Sequence, residues 1–173
     1  MTAIVYCSQT GHTAQYAKLL AQRLNKPAYD MASAPLAVAK GADVVFLSWL
    51  RAGSPKGFQK AAALWKIAAM AVVGMPDDGG AQLPAVARAC NLPPEFPLFY
   101  LPGGYEPDKL KGVSALAMGL MGKSMIRKLE AIPHPTEADQ ARLNLWRHGG
   151  NLVDVRHLAE LANWCQAHCK EQG

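Results

Sequence analysis

The sequence predicts an α/β domain with a doubly wound parallel sheet, and three observations carry that expectation. Short apolar runs rich in β-branched residues alternate with helical segments. Two of those runs, "DVVFLSW" (Asp43 to Trp49) and "MAVVGM" (Met70 to Met75), lack inside–outside alternation, as strands covered on both faces do. The 173 residues, half of them apolar, suit one core and one domain spanning 1–173.

Taken in order, "AIVYC" (Ala3 to Cys7) reads as the first strand. A helix follows whose Tyr16, Leu19, Leu20 and Leu24 share a face. A short strand, "PAYDM", begins at Pro27, and Asp43 to Trp49 is the third. "LRAGSPKG" reads as a loop, "FQKAAALWKIA" as a helix, and Met70 to Met75 as the fourth strand. "PDDGGAQLP" is a loop, "AVARACNL" a short helix, and "PLFYLPGG" the fifth strand. Such strand–helix–strand units cross over right-handedly and cover both faces of the sheet with helices.

From Tyr105 onward no further strand is expected. A helical insertion at about 107–150 is broken by "IPHPTE" and "RHGGN", and a terminal helix at about 154–169 is capped by Asp154. Leu158, Leu161, Ala162, Cys165 and Cys169 line one face of that helix.

Composition narrows the function classes. The opening residues carry no basic leader and no apolar run approaches the ~20 residues of a spanning helix, so a cytoplasmic protein is expected. Four cysteines without a CxxC pair predict reduced thiols. Cys165 and Cys169, with His168 between them, suit a buried helix face and no metal is assigned. The net charge is +5, but no basic stripe interleaved with aromatics appears, which argues against nucleic acid. No Ser/His/Asp or Cys/His constellation is present, and the chemistry is left to a cofactor.

The informative stretch is "SQTGHT" between the first strand and its helix. Open backbone N–H groups and the helix dipole attract an anion there. Gly11 permits close approach, and Ser8, Thr10 and Thr13 offer hydroxyls. The loop has neither the Gly-Lys-Ser/Thr ending of a triphosphate loop nor three spaced glycines, so a terminal phosphate fits better than ATP or NAD. A receiver-type module would need acidic residues where Tyr6, Cys7 and Ser8 stand.

The stretch "IVYCSQTGHTAQYAKLL" resembles the phosphate-loop signature of the flavodoxins, with Ile4, Val5, Tyr6, Ser8, Gly11, Thr13, Ala17 and Leu20 on the pattern. "LSWLRAG", "VVGMPDD" and "FYLPGGYEPDKL" extend the likeness to a branch that includes quinone-dependent protoporphyrinogen oxidases. The resemblance implies a flavodoxin-like five-stranded sheet in the order 2-1-3-4-5 and one flavin mononucleotide (FMN). By the same resemblance Ser8, Gln9, Thr10, Gly11, His12 and Thr13 cradle the phosphate. Trp49, Leu50, Arg51, Ala52 and Gly53 lie along one edge of the flavin ring, with Gly74, Met75 and Pro76 on its other side.

Several of these residues carry two readings. Trp49 either stacks on the flavin or belongs to the core. Arg51 either stabilises charge on reduced flavin, the one catalytic role considered, or is a solvated loop cation. His12 either donates to the phosphate or is merely exposed at the first helical turn. Gly103, Gly104 and Tyr105 either wall a substrate site, with Tyr105 as a stacking ring, or simply form a turn. Asp77 and Asp78 sit where they can offset Arg51.

Three functions follow from this reading. One is an electron carrier with a redox partner protein, and another is an FMN-dependent oxidoreductase acting on a quinone or, in the branch's pattern, protoporphyrinogen. The third is a flavin-free adaptor. The positive net charge departs from acidic electron carriers. "LPGGYEPDKL" is less basic and less aromatic than the corresponding loop of the oxidases. Lys109 to Leu129 places "VSALAMGLMG" between cations, a layout suited either to a membrane interface or to packing on the domain.

Overall fold

The computed structural model describes residues 1–75, 80–110 and 112–169. The strands are β1 (Ala3–Cys7), β2 (Ala28–Asp30), β3 (Asp43–Arg51), β4 (Ser54–Pro55), β5 (Lys66–Gly74), β6 (Leu98–Pro102), β7 (Gly104–Tyr105) and β8 (Gly150–Asn151). The helices are α1 (His12–Leu24), α2 (Ala34–Ala37), α3 (Phe58–Leu64), α4 (Leu83–Ala89), α5 (Gly112–Glu130), α6 (Glu137–His148) and α7 (Ala159–Cys169).

Five strands pair in parallel in the order β2-β1-β3-β5-β6. The fold is α/β with a mostly parallel central sheet. β1, β3 and β5 are buried through their middles because helices cover both faces, which is why these runs show no polar alternation. Alternate residues still serve opposite layers. Ile4, Val45, Leu47, Ala71 and Val73 meet Tyr16, Leu20, Leu158, Leu161 and Cys165 from α1 and the C-terminal segment. Val5, Val44, Phe46, Met70 and Val72 meet Ala34, Ala61, Trp65 and Val86 on the other side. The side chain of Cys169 lies outside the described residues.

Four expectations need correction. The strand count exceeds five, because β4 pairs antiparallel with the end of β3 and β7 with β8. "LRAGSPKG" is therefore a hairpin: β3 runs on to Arg51, and Ala52 and Gly53, at φ 49° and 77°, make the two-residue turn. The helix at Phe58 stops at Leu64, and Lys66, Ile67 and Ala69 already pair with β3. Trp65 is extended there and its buried indole N–H donates to the Val38 carbonyl at 3.3 Å, so sheet pairing overrides local helix preference. Finally, residues after Tyr105 do include a strand. β8 has only two residues, too few to show any period, and pairs Gly104 with Asn151 and Tyr105 with Gly150.

The insertion is the helical pair α5 and α6 around a small core of Tyr105, Leu129, Leu145 and Trp146. Met75, Leu110 and Met118 pack against that core and join it to the carboxyl end of the sheet. No described helix is long and apolar enough to cross a membrane.

Candidate functional site

Strand order reverses between β1 and β3, so the loops after these two strands splay apart and open a crevice at their carboxyl ends. A cavity of about 350 Å³ occupies that position. Volumes of about 300–1,000 Å³ are usual for small-molecule sites. Its walls bring together residues from four separate loops: Gln9, Thr10, His12 and Thr13; Trp49, Leu50, Arg51 and Ala52; Gly74 and Met75; Gly103, Gly104 and Tyr105. Ser8, Gly11 and Gly53 sit in these loops but do not line the cavity. Pro76, Asp77 and Asp78 lie outside the described residues.

The loop after β1 is shaped by Gly11, whose φ of 99° is a left-handed conformation that L side chains rarely adopt. The space beside it is open: a Cβ there would meet nothing nearer than Gln15 at 3.9 Å. Ser8 Oγ accepts the Ala14 N–H at 3.3 Å, which satisfies one donor of the first turn of α1 and leaves the hydroxyl proton free to donate. The N–H groups of His12 and Thr13 have no partner within the helix. Hydroxyls, open space beside Gly11 and N–H groups without a helical partner suit an anion.

His12 is not exposed, contrary to one of its two readings. Its side chain is buried, with Nδ1 3.0 Å from Thr10 Oγ1 and Nε2 2.8 Å from Glu106 Oε2. The approach to Glu106 is off the axis of the ring N–H, so both atoms lack a well-aligned hydrogen bond. Burial, opposed by Glu106 and aided by Lys109, pushes the imidazole below its ordinary value. Lys109 Nζ holds the other carboxylate oxygen of Glu106 at 2.8 Å.

Trp49 is half-buried on the cavity wall. Burial, reinforced by Asp30, pushes the neighbouring Cys7 thiol up, so Cys7 is neutral near pH 7. Ser48 Oγ donates to the Lys56 carbonyl at 2.6 Å and fastens the hairpin that carries Trp49, Leu50 and Arg51. Arg51 itself is exposed. Gly74 and Gly103 are fixed by crowding: a Cβ would come within 2.8 Å of the Tyr100 ring at the first and of Val73 at the second.

Tyr105 lines the cavity, and its ring also packs inside the insertion. It is 7% exposed and packs against Trp146, with ring centroids 4.9 Å apart. The ring packs in the core of the insertion as well as lining the cavity. Five wall residues were not marked by the sequence, namely Val73, Glu106, Leu110, Ala117 and Met118. Only the position of Glu106 next to Tyr105 hinted at it; nothing in α5 marks which turn faces the sheet.

No protein-family model, no curated protein and no solved structure matches the chain.

Proposed function

We propose that this chain is a flavodoxin-type redox protein that binds FMN in the cavity at the carboxyl end of the sheet. One observation carries the reading: the loops after β1, β3 and β5, identified separately by resemblance, converge on one cavity at the crossover point. Ser8, Thr10, Thr13 and the first N–H groups of α1 would hold the phosphate. Trp49, Leu50, Arg51 and Ala52 would hold the ring from the hairpin side, and Gly74 and Met75 from the other. Bound FMN supplies one- and two-electron chemistry that the side chains lack. Arg51, an exposed cation of the hairpin, would offset negative charge there.

The apolar wall of Leu110, Ala117 and Met118 favours a small organic acceptor such as a quinone over a protein partner, because it narrows access from the insertion side. Leu116, Leu120, Lys123 and Arg127 form one exposed stripe along α5 at helical spacing, which fits contact with an anionic membrane surface where quinones dissolve. Co-sedimentation with anionic vesicles at low and high salt tests this contact, and no binding at low salt defeats it.

The test of the main reading is a visible spectrum before and after incubation with FMN and desalting. Retained bands near ~450 nm with quenched fluorescence are expected. A protein that leaves the column colourless sinks the redox reading and promotes the adaptor.

A further inference from the structure

The His12 imidazole bridges two parts of the cavity wall that are far apart in sequence. Nδ1 faces Thr10 in the loop after β1, and Nε2 faces Glu106 in the segment leading to α5. These two contacts define the protonation pattern. Opposite a carboxylate, Nε2 carries the proton, so Nδ1 accepts from the Thr10 hydroxyl. The Thr10 proton is thereby turned toward the ring and away from the space where an anion would lie. Gly103 and Gly104 approach His12 closely and bring no charge. Glu106 and Lys109 are the charged groups acting on it among the described residues.

We propose that His12 is a proton-linked phosphate-positioning residue: entry of a phosphate monoester dianion is accompanied by uptake of one proton from solvent at His12 Nδ1. The new Nδ1–H donates to Thr10 Oγ1, the direction of that hydrogen bond reverses, and the Thr10 O–H is released to donate to the phosphate. No other bond forms or breaks. Glu106, held by Lys109, stays opposite Nε2 and carries the counter-charge for the imidazolium.

Three features support this relay. The neutral imidazole is favoured while the loop holds no anion, because burial outweighs the pull of Glu106. A dianion beside the ring reverses that balance, since a nearby opposite charge favours the charged form. The off-axis contact between Nε2 and Glu106 Oε2 leaves two buried polar atoms poorly satisfied, and an imidazolium draws the carboxylate into a stronger, charge-assisted pair. This inference rests on the phosphate-loop part of the proposed function.

The experiment is an NMR titration of the His12 ring in the full chain, assigned with His12→Gln, in three states: alone, with inorganic phosphate, and with FMN. Alone, His12 should titrate below its ordinary value, and in Glu106→Gln lower still. With either phosphate-bearing probe the midpoint should rise by about one unit or more, whereas riboflavin, which has no phosphate, should leave it unmoved. Calorimetry of FMN binding in two buffers should show proton uptake by the unmodified chain that His12→Gln lacks.

A midpoint that saturating FMN or phosphate leaves in place overturns the inference. If FMN binds without moving it, the relay falls and the flavin reading stands. If inorganic phosphate raises it while FMN does not bind, the relay stands and the flavin reading falls. If neither probe acts, both fall.

Discussion

The parallel sheet and the insertion that follows it solve the same packing problem with different resources. β1, β3 and β5 are buried on both faces, and their residues feed two large clusters, one under α1 and α7 and one under α2, α3 and α4. α5 and α6 share a core of four buried residues, while Leu116 and Leu120 stay 67% and 63% exposed. The cavity lies between these regions, with a stiff floor of strand ends and one wall drawn from the thinner structure. That division suits a binding site, since segments with few buried contacts are the ones that open and close.

Breaking the stiff side should have the largest effect. Phe46 is fully buried in the middle of β3, and Phe46→Ala leaves a cavity that neighbouring strands cannot collapse into. A loss of about 3–5 kcal/mol in global unfolding by urea is expected. A loss under about 1 kcal/mol would mean that the sheet centre is as yielding as the insertion.

The same substitution class on the thin side should act locally. Trp146 is the largest side chain in the insertion core and packs on Tyr105 and Gly122. Trp146→Ala should cost roughly 3 kcal/mol in the opening of α5 and α6. Amide exchange should read this as faster exchange in those helices with β1 and β3 unchanged. Equal acceleration everywhere would show that insertion and sheet unfold as one unit.

The contrast also explains what the sequence could and could not reveal. β1, β3 and β5 were legible because a strand buried on both faces needs a continuous apolar run, which has little other use. The loop after β1 was legible as a strand–helix junction, because a glycine among hydroxyls directly after an apolar run ends a strand and opens a helix. The partner of His12 was not, because Glu106 reaches it only through the fold. The packing of Tyr105 was not legible, because an aromatic in a glycine-rich loop looks like a stacking surface until α6 brings Trp146 against it. The β7–β8 pair was not legible, because two residues per strand carry no pattern.

On the sheet side, Tyr16 offers a pH test of intermediate size. Its fully buried hydroxyl donates to the Pro102 carbonyl at 2.7 Å and lies 2.9 Å from His157 Nδ1, tying α1 to the end of β6 and to the turn before α7. Burial is the main cause that pushes its phenol up to about 12. The folded chain therefore holds this proton more tightly than the unfolded one. The contribution is complete below the ordinary value of about 10 and is lost as pH rises toward 12. Stability should fall by about 2 kcal/mol across that window, and Tyr16→Phe should flatten that part of the curve. An unchanged slope in Tyr16→Phe would assign the alkaline loss to other groups.

The smallest expected effect sharpens the comparison at the outer end of the insertion. Thr136 caps α6 through a reciprocal box: its Oγ1 accepts the Asp139 N–H at 3.1 Å, and its own N–H donates to Asp139 Oδ2 at 3.0 Å. The Thr136 side chain and backbone hold the Asp139 carboxyl below its ordinary value. The box is therefore fully in place above that ordinary value and weakens as pH falls through the lowered one. Thr136→Ala should cost about 1 kcal/mol, visible in exchange at the first turn of α6 and absent from the sheet. Because α6 carries Trp146 onto Tyr105, and Tyr105 edges the cavity, fraying at Thr136 should reach the binding site only if the insertion moves as one body. A Thr136→Ala chain that loses helix yet binds FMN unchanged would confine the functional wall to α5.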